Sequence, residues 1–176
     1  MPHFWKSCGI CMIWLVISEL LCLILAFSFA IINTSWIRWL SLLCGITAHC
    51  LLMGSCAQKI AQEDAALYRI SRKRVSQKKP LLLAVFTVIP GVLLYLILML
   101  NADSKLMLNL FPLLNSPYIQ LHRLLIGGKE PFSAIAPLRR AVMALPPVIT
   151  GAAFWVGYQV TYIPALAKMD AKTPRS

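Results

Sequence analysis

Four long apolar blocks are the feature that most restricts what this chain can fold into. They run from about residues 8 to 32, 36 to 56, 81 to 100 and 141 to 166. A helix needs about 20 apolar residues to cross a bilayer, and a spanning segment must satisfy its own backbone hydrogen bonds. Continuous apolar runs also differ from the alternating pattern of a transmembrane β-barrel. The sequence therefore predicts an all-α, polytopic membrane protein with four transmembrane helices in one domain.

The basic residues are concentrated on one side of these predicted spans. The chain carries a formal net charge of +11, and much of it falls in residues 58–80, a predicted cytoplasmic linker. Basic residues beside a span follow the positive-inside rule and contact anionic lipid headgroups, which favours the lipid bilayer over nucleic acid as a partner. The protein is predicted to lie in the cell membrane with both termini in the cytoplasm. The predicted lipid-contacting residues are Arg69, Arg72, Lys73, Arg74, Lys78 and Lys79.

Residues 101–140, between the third and fourth spans, are too apolar for a free loop. Ser116-Pro117 is typical of a helix start, and Gly127-Gly128 is typical of a helix stop. A short helix between them predicts an outer cap that lies in the membrane interface. A re-entrant segment is the alternative, in which case the surrounding protein must shield its backbone.

Glu19 and His49 are the candidate intramembrane polar pair. A carboxylate at membrane depth is costly, so Glu19 is expected to have a partner, to be protonated or to face the protein interior. If the turn between the first two spans is centred near Thr34, residues whose numbers add up to about 68 lie at equal depth, which places Glu19 level with His49. Two interpretations stay open: a proton-titrating pair and an interhelical hydrogen bond that holds the helices together.

The cysteines form a weaker candidate cluster. All six lie in the first two spans, and the same depth argument places Cys56 beside Cys8 and Cys11. A zinc or iron–sulfur site usually has four ligands, and no second C-x-x-C pair is present. Buried cysteine behaves as a small hydrophobic residue, so neither a metal nor a cofactor is predicted.

A set of short motifs resembles a known group of proteins. The order is a basic linker (Tyr68 to Pro80), a proline-containing span, Leu114-Asn115-Ser116-Pro117-Tyr118, and a last span with Pro146 and Gly157-Tyr158. Over residues 65 to 165 this order resembles uncharacterised small four-helix membrane proteins of Gram-positive bacteria. The resemblance implies a membrane fold and no assigned activity.

The function hypotheses follow from what the sequence contains. No P-loop, H-E-x-x-H or G-x-S-x-G motif is present, so the protein is not expected to be an enzyme. The first hypothesis is an accessory or assembly subunit, because small residues such as Gly151 and Gly157 allow close contact with another protein's helix or with a second copy. The alternative is a small proton-coupled transporter that uses Glu19 and His49.

Overall fold

The computed structural model describes residues 2–31, 34–71, 75–76, 78–101, 104–126 and 132–171, and the regular structure in these ranges is helical. Two single 3-10 turns, Ser116–Tyr118 and Phe132–Ala134, interrupt the run of α-helices between residues 105 and 143. The α-helices are α1 (Pro2–Ala30), α2 (Ser35–Ser71), α3 (Lys78–Leu100), α4 (Lys105–Leu114), α5 (Ile119–Ile126), α6 (Pro137–Met143) and α7 (Pro146–Ala171).

The predicted all-α fold with four helices of spanning length and apolarity is confirmed. The second helix continues well past the apolar block to Ser71, through part of the predicted cytoplasmic linker. Pro90 and Pro164 lie inside α3 and α7, and both helices continue through them. Pro146 and Pro147 begin α7 instead of kinking it, because the first helical position needs no backbone N–H.

Helix α2 lies at the centre of the bundle. It packs most extensively against α7 and next against α1, while α3 packs mainly against α7 and less against α1. A Cβ atom on Gly157 would lie 2.7 Å from the carbonyl oxygen of Gly54, so the backbones of α2 and α7 are in direct contact there. Gly151 has a similarly close approach to Ala84 and Val88 of α3. The small residues expected to receive another protein's helix are therefore used inside this chain.

Two apolar clusters fill opposite ends of the bundle. The first surrounds Met53, Leu83 and Phe154 and lies toward the end that carries the start of α1 and the end of α7, called here the terminal end. The second surrounds Leu98, Phe111 and Met143 and joins the last turn of α3 to α4, α5 and α6. The short helices thus have a core of their own at the opposite end.

The turn between α4 and α5 reaches deep into the bundle. Ser116 hydrogen-bonds to Glu19 of α1, and Glu19 lies 11 residues before the end of that helix, or about 16 Å at 1.5 Å per residue. On the other side, a Cβ atom on Gly45 of α2 would lie only 2.8 Å from the carbonyl oxygen of Pro117. The tip of this segment therefore lies deeper in the bundle than expected for a cap at the membrane interface, and these contacts match the re-entrant alternative.

A buried ion pair closes the terminal end. The amino group of Lys79 lies 2.7 Å and 2.8 Å from the two carboxylate oxygens of Asp64, and Tyr158 donates a 2.7 Å hydrogen bond to the same carboxylate. These side chains join α2, α3 and α7. Lys79 was expected to contact lipid headgroups, but its side chain lies inside the bundle with Asp64 as its partner.

The other residues predicted to contact lipid headgroups fall into two groups. Arg69 and Lys78 are exposed near the terminal end, where contact with headgroups stays a prediction. Arg72, Lys73 and Arg74 lie outside the described residues.

Candidate functional site

The carboxylate of Glu19 is held by the tip of the segment between α4 and α5. Its Oε2 atom accepts a 2.9 Å hydrogen bond from the backbone N–H of Ser116 and lies 2.9 Å from the hydroxyl of the same residue. That hydroxyl also lies within hydrogen-bonding distance of the backbone carbonyl of Glu19. In the described ranges the carboxylate has neutral partners and is in no ion pair.

His49 lies nearby with two different partners. Its Nδ1 atom is 2.7 Å from the hydroxyl of Ser18, and its Nε2 atom is 2.8 Å from the hydroxyl of Thr150. The imidazole therefore joins α1, α2 and α7 through one chain of hydrogen bonds. Both hydroxyls can donate or accept, so a neutral ring is satisfied with either tautomer. The geometry matches the interhelical interpretation proposed for this histidine.

Glu19 and His49 lie close to each other in depth but do not form a hydrogen bond. Three contacts between α1 and α2 within the bundle join residues whose numbers add up to 67, namely Ser18 with His49, Cys22 with Gly45 and Cys11 with Cys56. The expected register was therefore off by one residue. Because consecutive residues of a helix point about 100° apart, Ser18 takes the position opposite His49 and Glu19 turns toward Ser116.

A cavity of about 330 Å³ lies beside Glu19. Its walls come from α1, α3, the tip that follows α4, and the start of α7, and they are mainly apolar. The hydroxyl of Tyr118 also belongs to this wall and is buried with no hydrogen bond of ordinary geometry to any described residue. Val16 and Leu20 line the cavity and are more than half exposed, so its edge reaches the outer surface of the bundle.

His122 on α5 is fully buried, and neither of its ring nitrogens has a hydrogen-bond partner among the described residues. The ring packs edge-on against Phe111, with 4.7 Å between centroids. Burial penalises the protonated ring and lowers the pKa of His122 to about 4, compared with about 6.5 in an unfolded chain. At neutral pH this histidine therefore acts as an uncharged packing residue.

Acid is expected to weaken the packing of α4 on α5 through His122. As the pH falls, the histidine of the unfolded chain is protonated at a higher pH than the buried ring of the folded protein. The contribution of His122 to the free energy of unfolding is therefore complete above about pH 6.5 and declines as the pH falls toward 4. Thermal unfolding in detergent at pH 7 and pH 5 is the measurement. Between pH 7 and pH 5, the free energy of unfolding should fall by about 1 to 2 kcal/mol less in the His122→Leu variant than in the wild type. Equal acid sensitivity in the two proteins would contradict this.

The three cysteines of the weak candidate cluster do come together. Cys8, Cys11 and Cys56 are all buried in the apolar cluster of the terminal end, and the thiols of Cys11 and Cys56 interact. The six cysteines are free thiols. Among the described residues, no group of three or more His, Cys, Asp or Glu side chains is arranged to hold a metal ion. In this structure the cluster is part of the core.

Sequence reasoning missed the partners of the polar pair. Ser116 was assigned only as the start of a helix, and Thr150 and Tyr118 were not singled out as site residues. The sequence shows that Ser116 and Tyr118 are polar, but the depth of these side chains depends on how far the segment between α4 and α5 enters the bundle. Sequence spacing alone carries no information on that depth.

Comparison of this chain with protein-family models, with curated proteins and with solved structures finds no match. The resemblance to the Gram-positive membrane proteins therefore stays a prediction.

Proposed function

We propose that this chain is a small, non-enzymatic carrier of the bacterial cell membrane, with both termini in the cytoplasm, and that its cavity binds an apolar molecule bearing a cationic amine. The observation that carries the proposal is the position of Glu19, an acidic side chain in the wall of a mainly apolar cavity. Ionisable residues inside a membrane protein commonly mark substrate or ion pathways.

The charge balance supports a cationic ligand. The described partners of Glu19 are the N–H and hydroxyl of Ser116, which orient a carboxylate without neutralising it. When a carboxyl group is shielded from water, an opposite charge at hydrogen-bonding distance strongly stabilises its ionised form. An amine would provide that charge, while the apolar part of the molecule would occupy the cavity. The hydroxyl of Tyr118, which has no hydrogen bond of ordinary geometry to a described residue, offers a second polar contact.

The shape of the bundle supports entry from the side. Helices α1 and α3 form two walls of the cavity, yet they pack against each other much less extensively than α2 and α7 do. The exposed lining residues Val16 and Leu20 lie on α1, at this edge. We propose that the ligand passes between α1 and α3 from the apolar part of the bilayer. Pro90 of α3 removes one backbone hydrogen bond beside the cavity, which makes that helix easier to bend.

Competition for one carboxylate would couple binding to protons. A proton and an amine both neutralise Glu19, and both cannot do so at once. His49 has no place in the cavity wall and is bonded to Ser18 and Thr150, so its role in this proposal is to position α1, α2 and α7. The accessory-subunit hypothesis stays a prediction, while the small residues on which it was based pack inside the bundle.

Binding of a matched pair of probes tests the proposal. The purified chain in detergent is titrated with 2-(1-naphthyl)ethylamine and with the corresponding alcohol, and naphthyl fluorescence reports binding. The amine is expected to bind about tenfold or more tightly than the alcohol, because a hydrogen bond to a charged group usually contributes a free energy of that size. In Glu19→Gln, which keeps a hydrogen-bond acceptor for Ser116, that preference should disappear.

Glu63→Gln is the matched control. It makes the same chemical change at a half-exposed acid near the terminal end, away from the cavity, and should leave the preference for the amine unchanged. Equal binding of amine and alcohol by the wild type, or an unchanged preference in Glu19→Gln, would refute the proposed role of Glu19.

A further inference from the structure

A second pocket lies at the end of the bundle opposite the terminal end, far from Glu19. It has a volume of about 270 Å³ and is formed by the last turn of α1, the first two turns of α2, and α5. Two arginines line it, Arg38 from α2 and Arg123 from α5. Among the described residues that line it, none is acidic. Its lining residues are Phe29, Ala30, Ile37, Arg38, Ser41, Gln120, Arg123 and Leu124.

Each of the two helices presents one arginine and one neutral polar side chain to this pocket. On α2, Arg38 is followed three residues later by Ser41, and on α5, Gln120 is followed three residues later by Arg123. Residues three apart lie on one face of a helix. Each helix therefore contributes one guanidinium group and one neutral polar group to a common space, although the two pairs are about 80 residues apart in the sequence.

The neutral members of the pairs are buried. Ser41 is 5% exposed and Gln120 is 7% exposed. The hydroxyl of Ser41 has no hydrogen-bond partner among the described residues. An unpaired buried polar atom costs free energy, and a ligand that accepts a hydrogen bond from it recovers that cost. The two arginines are exposed at the rim of the pocket.

We propose that this pocket binds a phosphate group carried by an amphiphile, as in a lipid headgroup, at the face of the membrane opposite the termini. Two guanidinium groups bind phosphate oxygens through forked hydrogen bonds, and the Ser41 hydroxyl and the Gln120 amide donate further ones. Phe29, Ile37 and Leu124 give the same pocket an apolar wall for the adjoining chain of the ligand. This site does not depend on the Glu19 cavity.

The position along the helices agrees with a headgroup ligand. Arg38 lies in the first turn of α2, and Ala30 is the last residue of α1, so the pocket is at the boundary of the apolar helices. A lipid phosphate lies at this level in a bilayer, with its acyl chains directed along the helices. Free phosphate has the same charged group but no use for the apolar wall.

Thermal stabilisation of the full chain in detergent tests the proposal with three probes. They are phosphatidylglycerol, diacylglycerol with the same acyl chains, and inorganic phosphate. Phosphatidylglycerol is expected to raise the unfolding temperature and diacylglycerol to leave it unchanged. Stabilisation by inorganic phosphate at a similar concentration would identify the site as one for the free ion, whereas its absence would identify the lipid.

Two variants connect the effect to these residues. Replacing both Arg38 and Arg123 with glutamine should raise the phosphatidylglycerol concentration that gives half of the stabilisation by about tenfold or more. Ser41→Ala should raise it by a smaller factor. Arg139→Gln, at an exposed arginine of α6 outside the pocket, is the matched control and should behave as the wild type. An equal response to diacylglycerol, or an unchanged response in the double variant, would overturn the proposal.

Discussion

Asp64→Ala is expected to lower the free energy of unfolding by about 3–5 kcal/mol, the usual cost of removing one partner from a buried ion pair. Asp64 is 2% exposed, and its carboxylate accepts hydrogen bonds from Lys79 of α3 and Tyr158 of α7. Without it, the Lys79 ammonium is left inside the bundle with no opposite charge, and three helices lose their common polar contact. Unfolding in detergent, followed by circular dichroism, measures the change.

Two further variants separate this effect from a general loss of charge. Glu63→Ala removes the neighbouring acid, whose 3.3 Å pair with Lys6 is largely exposed, and should cost less than about 1 kcal/mol. Replacing Asp64 with leucine together with Lys79 with methionine removes both charges and should recover most of the lost stability. A cost for Asp64→Ala no larger than that of Glu63→Ala would contradict the role assigned to the buried pair.

Gly157→Ala is expected to destabilise the contact between α2 and α7 by about 2 to 3 kcal/mol, at the upper end of the range for overpacking. A Cβ atom on Gly157 would lie 2.7 Å from the carbonyl oxygen of Gly54 and 2.8 Å from its Cα. Both are backbone atoms of α2, so neither can turn away as a side chain would. The two helices must separate, and the packing of Phe154 and Tyr158 on either side loosens with them.

Gly9→Ala is the matched control for this prediction. Nothing lies within 4 Å of a Cβ atom on Gly9, and alanine favours a helix over glycine by about 0.5–1 kcal/mol. The same substitution should therefore stabilise α1 slightly and destabilise the α2–α7 contact strongly. If the two variants unfold at the same temperature, the close approach of α2 and α7 is not a determinant of stability.

The candidate site was predictable in part. Counting residues from the turn near Thr34 placed His49 close to its true level, because two antiparallel helices joined by a short turn keep their residues in register. It could not identify Ser18 instead of Glu19 as the residue facing His49, since a shift of one residue rotates the contact by about 100° around the helix. The same limit applies to Lys79, which a charge count groups with solvated residues and which is bonded to Asp64.

By itself, the sequence determined the helical class and the four long apolar helices, because a continuous apolar run of this length must satisfy its backbone within the segment. Only the tertiary structure decided which polar groups meet. Ser116 and Glu19 are 97 residues apart, and Tyr158 and Asp64 are 94 residues apart. Such contacts depend on the rotation of each helix and on how deeply the segment between α4 and α5 enters the bundle. Both are set by the packing of many side chains together, including the close approaches at Gly45 and Gly157.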